Sequence, residues 1–226
     1  MDLIWENKIK LVKRNVRWEY FVKRTGGDRK IMCGRYYVDN ETEIEIEKIV
    51  RNLDRKRQAA HRGDIYPTNH AMVLREENRQ TVLTDMYWGF PQYQKKGVIF
   101  NARSESVLEK RMFSDSTLHR RCLIPAKGFY EWDRTKNKIT FERPDKHVMM
   151  MAGIWNYYDP EQRFVILTTE ANASMAPVHD RMPLILEPDE ADMWLHDDKS
   201  VEFLLHKRPA ELDRVDGFLQ ETLQFK

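Results

Sequence analysis

Four short islands of the 226-residue chain set reactive or charged groups beside Gly, Pro or Trp, a setting in which strand ends expose chemistry. They are MCGRYY at 32–37, WGF…FNARSES between 88 and 106, KGFYEW at 127–132 and APVHDRMP at 176–183. Cys33 offers a thiol nucleophile, Glu131 and His179 are proton carriers, and Asn101 is a hydrogen-bonding group that stays neutral. Each also has an ordinary explanation. A free Cys is commonly a small buried hydrophobe, and His179 can be a structural imidazole satisfied by a carbonyl. Glu131 can be an exposed strand residue, and Asn101 can hold a turn. Cys33 and Cys122 are the two cysteines, far apart and in neither a CxxC nor a metal-ligand spacing, which speaks against a disulfide framework or a zinc site. No cofactor or metal is expected, and a reducing, cytoplasmic setting fits.

The elements that must position these groups come in two zones. Residues 1–32 carry nine Lys/Arg against four Asp/Glu, have no clean helical or strand period, and close on a Gly-Gly-Asp break. That zone holds a net +5 in a chain whose total is +2, so the remainder sums to −3. Bulk charge therefore gives the main zone no general affinity for nucleic acid, and any such contact must come from a local basic cleft. Residues 41–60 place Ile44, Ile46, Ile49, Val50 and Leu53 at helical spacing, with Asn40 or Thr42 as the cap. Strand-like runs follow at 71–75, 81–88, 97–102, 121–126, 139–144, 148–155 and 163–170, separated by turn chemistry. Residues 188–196 and 199–207 read as two short closing helices, the first opening with Pro-Asp-Glu at its positive end. Many strands with few helices between them predict an α+β single domain. Its core is a mostly antiparallel sheet or partly closed β-barrel, flanked by short helices. No apolar run approaches the roughly 20 residues that cross a bilayer, so no membrane partner is expected.

Taken together and in order, the islands resemble the SRAP family, named for SOS-response-associated peptidases and known for capturing abasic sites. Met32-Cys33-Gly34-Arg35 matches the family's opening. Asn101-Ala102-Arg103-Ser104-Glu105 matches Asn-Ala-Arg-x-Glu, and Gly128-Phe129-Tyr130-Glu131-Trp132 matches Gly-(Phe/Trp)-(Tyr/Phe)-Glu-Trp. His179-Asp180-Arg181-Met182-Pro183 is intact. The resemblance runs from Met32 to about Leu195 and implies the SRAP fold over 33–226. It also implies catalytic roles for Cys33, Asn101, Glu131 and His179. Two departures stand out: Asp64 replaces a neutral Asn of many relatives, and PQYQKKGVIF lacks the tryptophans often found before the Asn-Ala-Arg segment.

The chemistry can be argued from these residues as well. An N-terminal cysteine carries two nucleophiles on adjacent carbons, and its α-amine, with a pKa of about 8, is partly neutral at physiological pH. The amine forms a Schiff base with the ring-opened aldehyde of an abasic site, and the thiol closes onto the imine carbon as a five-membered thiazolidine. Glu131, between two aromatics expected to desolvate it and raise its pKa, suits proton shuttling. His179 suits protonation of the sugar ring oxygen. Asn101 suits holding the amine or the nascent hydroxyl. The resemblance implies DNA contact by Arg35, Arg103, Arg111 and Arg181, in or beside the matched motifs, and their forks suit phosphate oxygens. Trp88 and Tyr93 are expected to stack on a base or wedge a junction, Trp88 equally fitting the core. The expected partner is single-stranded DNA containing abasic sites, with replication-fork proteins beside it. The protein itself is expected to be monomeric and to join the nucleoid on damage.

Two further readings are a cysteine autopeptidase of the N-terminal-nucleophile type and a noncovalent reader of single-stranded DNA. Because an internal Cys33 has an amide nitrogen, residues 1–32 are expected to be a leader that is removed or never translated. Gly26-Gly27-Asp28 can be encoded as a ribosome-binding sequence three codons before Met32.

Overall fold

The computed structural model describes residues 34–50, 62–94 and 96–215, all inside the unit Met32–Lys226. The leader expectation for 1–32 and the Cys33 assignment lie outside the described residues. In chain order the strands and helices are β1 (Tyr36–Val38), α1 (Asn40–Ile49), β2 (Gly63–Ile65), β3 (His70–Glu77), β4 (Gln80–Trp88), β5 (Phe90–Pro91), β6 (Val98–Ile99) and β7 (Asn101–Arg103). There follow α2 (Ser114–His119), β8 (Arg121–Ala126), β9 (Gly128–Trp132), β10 (Lys138–Glu142), β11 (Met149–Tyr158), β12 (Glu161–Glu170), β13 (Arg181–Pro183), β14 (Ile185–Leu186), α3 (Pro188–His196), α4 (Val201–Leu205) and β15 (Asp213–Val215).

The longest strands close on themselves. β4, β3, β8, β11 and β12 pair antiparallel in that order, and β12 returns to β4 in parallel at Arg163↔Tyr87 and Phe164↔Trp88. Closure removes the exposed edges that an open sheet must protect. It also explains why β8, RCLIPA, is buried at every position instead of alternating: one side of the strand fills the barrel and the other is covered. Trp194 of α3 is among the covering residues, its Nε1 donating to the Cys122 carbonyl. A second, antiparallel sheet of order β15-β10-β9-β1-β2 shares a core with the barrel. Tyr36, Phe129, Ile139 and Phe141 pack in one cluster with Val73, Met86, Trp88, Ile124, Met175, Val178 and Met182. The α+β, barrel-centred reading of the sequence therefore holds.

Several local expectations are corrected. The N-cap of α1 is Asp39, whose carboxylate accepts from Thr42 N at 2.8 Å, instead of Asn40 or Thr42. A cap needs extended backbone and an acceptor three residues ahead of a free N–H, and Asp39 meets both. The described helix ends at Ile49, and residues 51–60 of the expected span lie outside the described residues. The run 97–102 is two strands: β6 pairs with β5, and β7 turns to lie parallel to β12. The last expected helix is a 3₁₀ turn, Asp198–Ser200, followed by α4. α3 spans 188–196 as read, with Glu190 reaching back to Glu187 N at 2.8 Å.

Candidate functional site

β9 carries the Gly-Phe-Tyr-Glu-Trp island, and strand alternation decides which of its side chains face inward. Phe129 and Glu131 are buried, at 1% and 3% exposure, whereas Tyr130 is half-buried and Trp132 exposed. Adjacent residues of a strand point to opposite faces, so Tyr130 and Trp132 do not desolvate Glu131 as the sequence suggested. The shared core of the two sheets does. The island opens on Gly128 because nothing larger fits: a Cβ there would sit 2.4 Å from the Phe141 carbonyl oxygen on β10. β9 lies antiparallel to β1, with Tyr36 opposite Phe129, Tyr37 opposite Gly128, and Tyr130 N donating to Arg35 O at 3.0 Å. One step further along that register, Gly34 is level with Glu131.

Asn101 and His179 are both organised by the C-terminal half of β12. β7 runs beside it with Asn101 opposite Ile166 and Arg103 opposite Thr168, turning Ala102 into the core. β13 pairs on it antiparallel, Arg181 opposite Glu170. Just before Asn101, the Phe100 carbonyl accepts from both Trp88 Nε1 at 2.9 Å and Ile166 N at 3.1 Å. Trp88 is fully buried, stacked on Phe164 at 6.1 Å and tilted against Tyr36 at 5.2 Å. It has no face to offer a base, and its expected stacking role is corrected to that of a core residue tying β1 and β4 to the entry of β7.

His179 ends a turn pinned by Asn172, a residue the sequence reading did not single out. The buried Asn172 Oδ1 accepts from Ser174 N, Met175 N and Ser174 Oγ, and its Nδ2 donates to the carbonyls of Pro209 and Ala210. An Asn with Ser two positions on is the signature of such a turn, and it follows β12 directly. His179 is 5% exposed. Two contacts compete for its Nδ1: the Arg181 amide donates to it at 3.0 Å, and the Asp180 carboxylate lies 2.8 Å away, which requires a proton on the same nitrogen. The amide is fixed in the backbone, while Asp180 is 85% exposed and can turn to water. Nδ1 is therefore assigned as acceptor, which places the ring proton on Nε2.

The arginines divide into two kinds. Arg181 makes a bidentate pair with Glu105, both contacts 2.7 Å, and donates to Thr168 O at 2.6 Å, which locks the turn after β7 to the start of β13. Burial works to raise the Glu105 carboxyl, but the Arg181 hydrogen bonds and charge outweigh it and hold the group below its ordinary range. Arg35 is ion-paired with Asp64. Arg103 and Arg111 are exposed and, among the described residues, have no ion-pair partner. Tyr93, 81% exposed between β5 and β6, is open to solvent. Cys122 is fully buried, its thiol pushed well above the usual range by desolvation, and is unsuited to nucleophilic work.

Comparison with known proteins accords with this arrangement. The family model described as SOS response associated peptidase (SRAP) matches residues 32–216. The abasic site processing protein YoqW of Bacillus subtilis is 30% identical over 218 residues, covering 85% of this chain and 93% of its own. The abasic site processing protein YedK of Escherichia coli is 28% identical over 181 residues, covering 75% and 82%. Among solved structures, a Bacteroides thetaiotaomicron protein superposes with a TM-score of 0.68 at 19% identity, over 83% of this chain and 94% of that one. A Bordetella bronchiseptica protein does so with 0.65 at 21%, over 81% and 98%. At that identity the two structures speak for the fold alone.

Proposed function

The chain belongs to the SRAP family, and from that premise we propose that it is an abasic-site sensor that crosslinks through Cys33 to single-stranded DNA. The reading rests above all on one observation: Glu131, a carboxylate, is held inside a shared core at the strand position level with Gly34, next in sequence to Cys33. A proton carrier at this point suits amine and thiol chemistry.

In this reading the α-amine of Cys33 adds to the ring-opened aldehyde at C1′, giving a carbinolamine. Loss of water gives the imine, and the Cys33 thiol adds across it, its proton passing to the nitrogen as the thiazolidine closes. One C–N bond and one C–S bond form, and one water leaves. Glu131 carries protons in the addition and dehydration steps. His179, with Nε2 as the proton-bearing nitrogen, donates a hydrogen bond to the sugar oxygen as the ring opens, and Asn101 holds the amine or the nascent hydroxyl. Arg103, Arg111 and Arg35 line the phosphate path, with Tyr93 beside it, whereas Arg181, expected there from the sequence, is committed to Glu105 and Thr168 and acts instead as a structural tie.

The mechanism requires a free α-amine, so the working protein begins at Cys33 and residues 1–32 are a leader. Self-cleavage before Cys33 would agree with the peptidase in the family's description. The test incubates protein beginning at Cys33 with single-stranded DNA bearing one abasic site. A heat-stable adduct with the mass of protein plus DNA less one water is expected, and Cys33→Ser should abolish it because an oxazolidine is far less stable. Retardation without an adduct would favour a noncovalent reader, and peptide release without one would favour a peptidase. A stable, crosslinking chain that begins at Met1 would overturn the role of the free amine.

A further inference from the structure

Arg35 lies immediately before β1, in a slot made by three other side chains. Its guanidinium lies over the Tyr66 ring at 4.8 Å and the Tyr130 ring at 5.0 Å, and one of its nitrogens pairs with a single oxygen of Asp64, which stands on β2 opposite Tyr37. Tyr130 also hydrogen-bonds the Asp64 carboxylate; burial first, and that carboxylate next, raise its hydroxyl pKa. Both members of the pair reach solvent, at 22% and 31% side-chain exposure.

The contrast with Arg181 is informative. Arg181 meets Glu105 through both oxygens, holds a backbone carbonyl as well and is 13% exposed, so releasing it would undo three strong contacts. Arg35 is held by one carboxylate oxygen and two rings. The rings fix the guanidinium without using its N–H donors, so an incoming phosphate oxygen can replace Asp64 while the cation stays in its slot.

We propose that Asp64 is a specificity-determining residue: an internal stand-in for a phosphodiester that occupies the Arg35 fork and disfavours noncovalent binding of undamaged single strands. This rests on the capture reading, because the phosphodiester belongs to the strand that reading brings to the site. An undamaged strand must displace Asp64 and then sit beside its negative charge, with nothing to offset that cost. A strand held at its abasic site by a covalent bond is retained regardless of this one contact. Asp64 thus shifts discrimination toward strands that can react.

The test uses protein beginning at Cys33 and an undamaged oligothymidylate, with binding measured by anisotropy across a salt series. Asp64→Asn should tighten binding about three- to five-fold, the scale of an exposed ion pair, and steepen the slope of log K against log salt by about 0.7, one added phosphate contact. Asp64→Ser should do the same, which separates the loss of charge from any particular effect of the amide. Arg35→Ala added to Asp64→Asn should erase both gains. Unchanged affinity and slope in both Asp64 variants would overturn the proposal, as would a gain that persists without Arg35. Wild-type crosslinking to an abasic strand is scored alongside. Its absence would sink the capture reading while leaving the salt result standing, and a normal adduct with flat salt results would do the reverse.

Discussion

Replacing Trp88 by Phe tests whether this buried ring positions Asn101 or merely fills the core. The indole is fully buried, and its Nε1 donates to the Phe100 carbonyl at 2.9 Å, one residue before Asn101. Phe is smaller by about 40 Å³, and at about 24 cal/mol per Å³ of residual cavity the void costs about 1 kcal/mol. Losing the hydrogen bond adds about 1 kcal/mol. The Phe100 carbonyl is not orphaned, because Ile166 N still donates to it at 3.1 Å, so no further desolvation penalty applies. The sum, about 2 kcal/mol, lowers the melting temperature by roughly 4–8 °C in a domain of this size. The functional effect should be larger than stability explains. With one of its two ties gone, the entry to β7 shifts, and a displacement near 1 Å in a reacting constellation can cost up to about 10²-fold in rate. Single-turnover crosslinking to an abasic strand, measured well below the melting temperature, should slow about tenfold, with affinity for undamaged DNA unchanged. A stability loss with a wild-type crosslinking rate would refute the positioning role. Weakened DNA affinity without a stability loss would restore the stacking role that burial argues against.

Glu131→Gln and His179→Ala should each slow formation or reversal of the adduct by about 10²–10⁴-fold without unfolding the domain, and wild-type kinetics in both directions from pH 5.5 to 8.5 would make that residue structural. Gly128→Ala should cost about 3 kcal/mol or more in a denaturant titration, because its Cβ meets the Phe141 backbone oxygen at 2.4 Å and β9 must part from β10; a near-neutral result would mean that the pair of strands can give. Tyr36→Phe should stabilise the fold by about 1 kcal/mol, since the fully buried Tyr36 hydroxyl has no hydrogen-bond partner among the described residues; a loss of stability would contradict this. Asp145 is held down to about 2 chiefly by hydrogen bonds from Arg143. A depressed carboxyl stabilises above its unfolded pKa, ordinarily 3.8, and the contribution fades as pH falls through the folded value. The melting-temperature deficit of Asp145→Asn should therefore be present at pH 6 and shrink between pH 4 and pH 2, and a pH-independent deficit would assign it to packing.

The sequence by itself determined the elements whose period is long enough to see. β3, β4, β8, β11 and β12 were legible as apolar or alternating runs, and α3 as a Pro-Asp-Glu start before a helical stripe. The islands, read in order, also singled out Asn101, Glu131 and His179 as candidates, because their residue types and spacing are local properties. Strands of two or three residues, such as β5, β13 and β14, were not legible, since so short a ladder has no period and exists only through its partner. The same holds for the environment of each side chain. Whether Glu131 faces the core or water depends on which face of β9 meets the barrel, and Trp88 is buried because β12 returns in parallel to β4 across a long stretch of sequence. Partner choice was equally invisible: Arg35 with Asp64 and Arg181 with Glu105 are separated by 29 and 76 positions. Propensity and periodicity act over a few residues, whereas burial and ion pairing are decided by barrel closure, which brings distant strands into register, and that information exists only once the chain has folded.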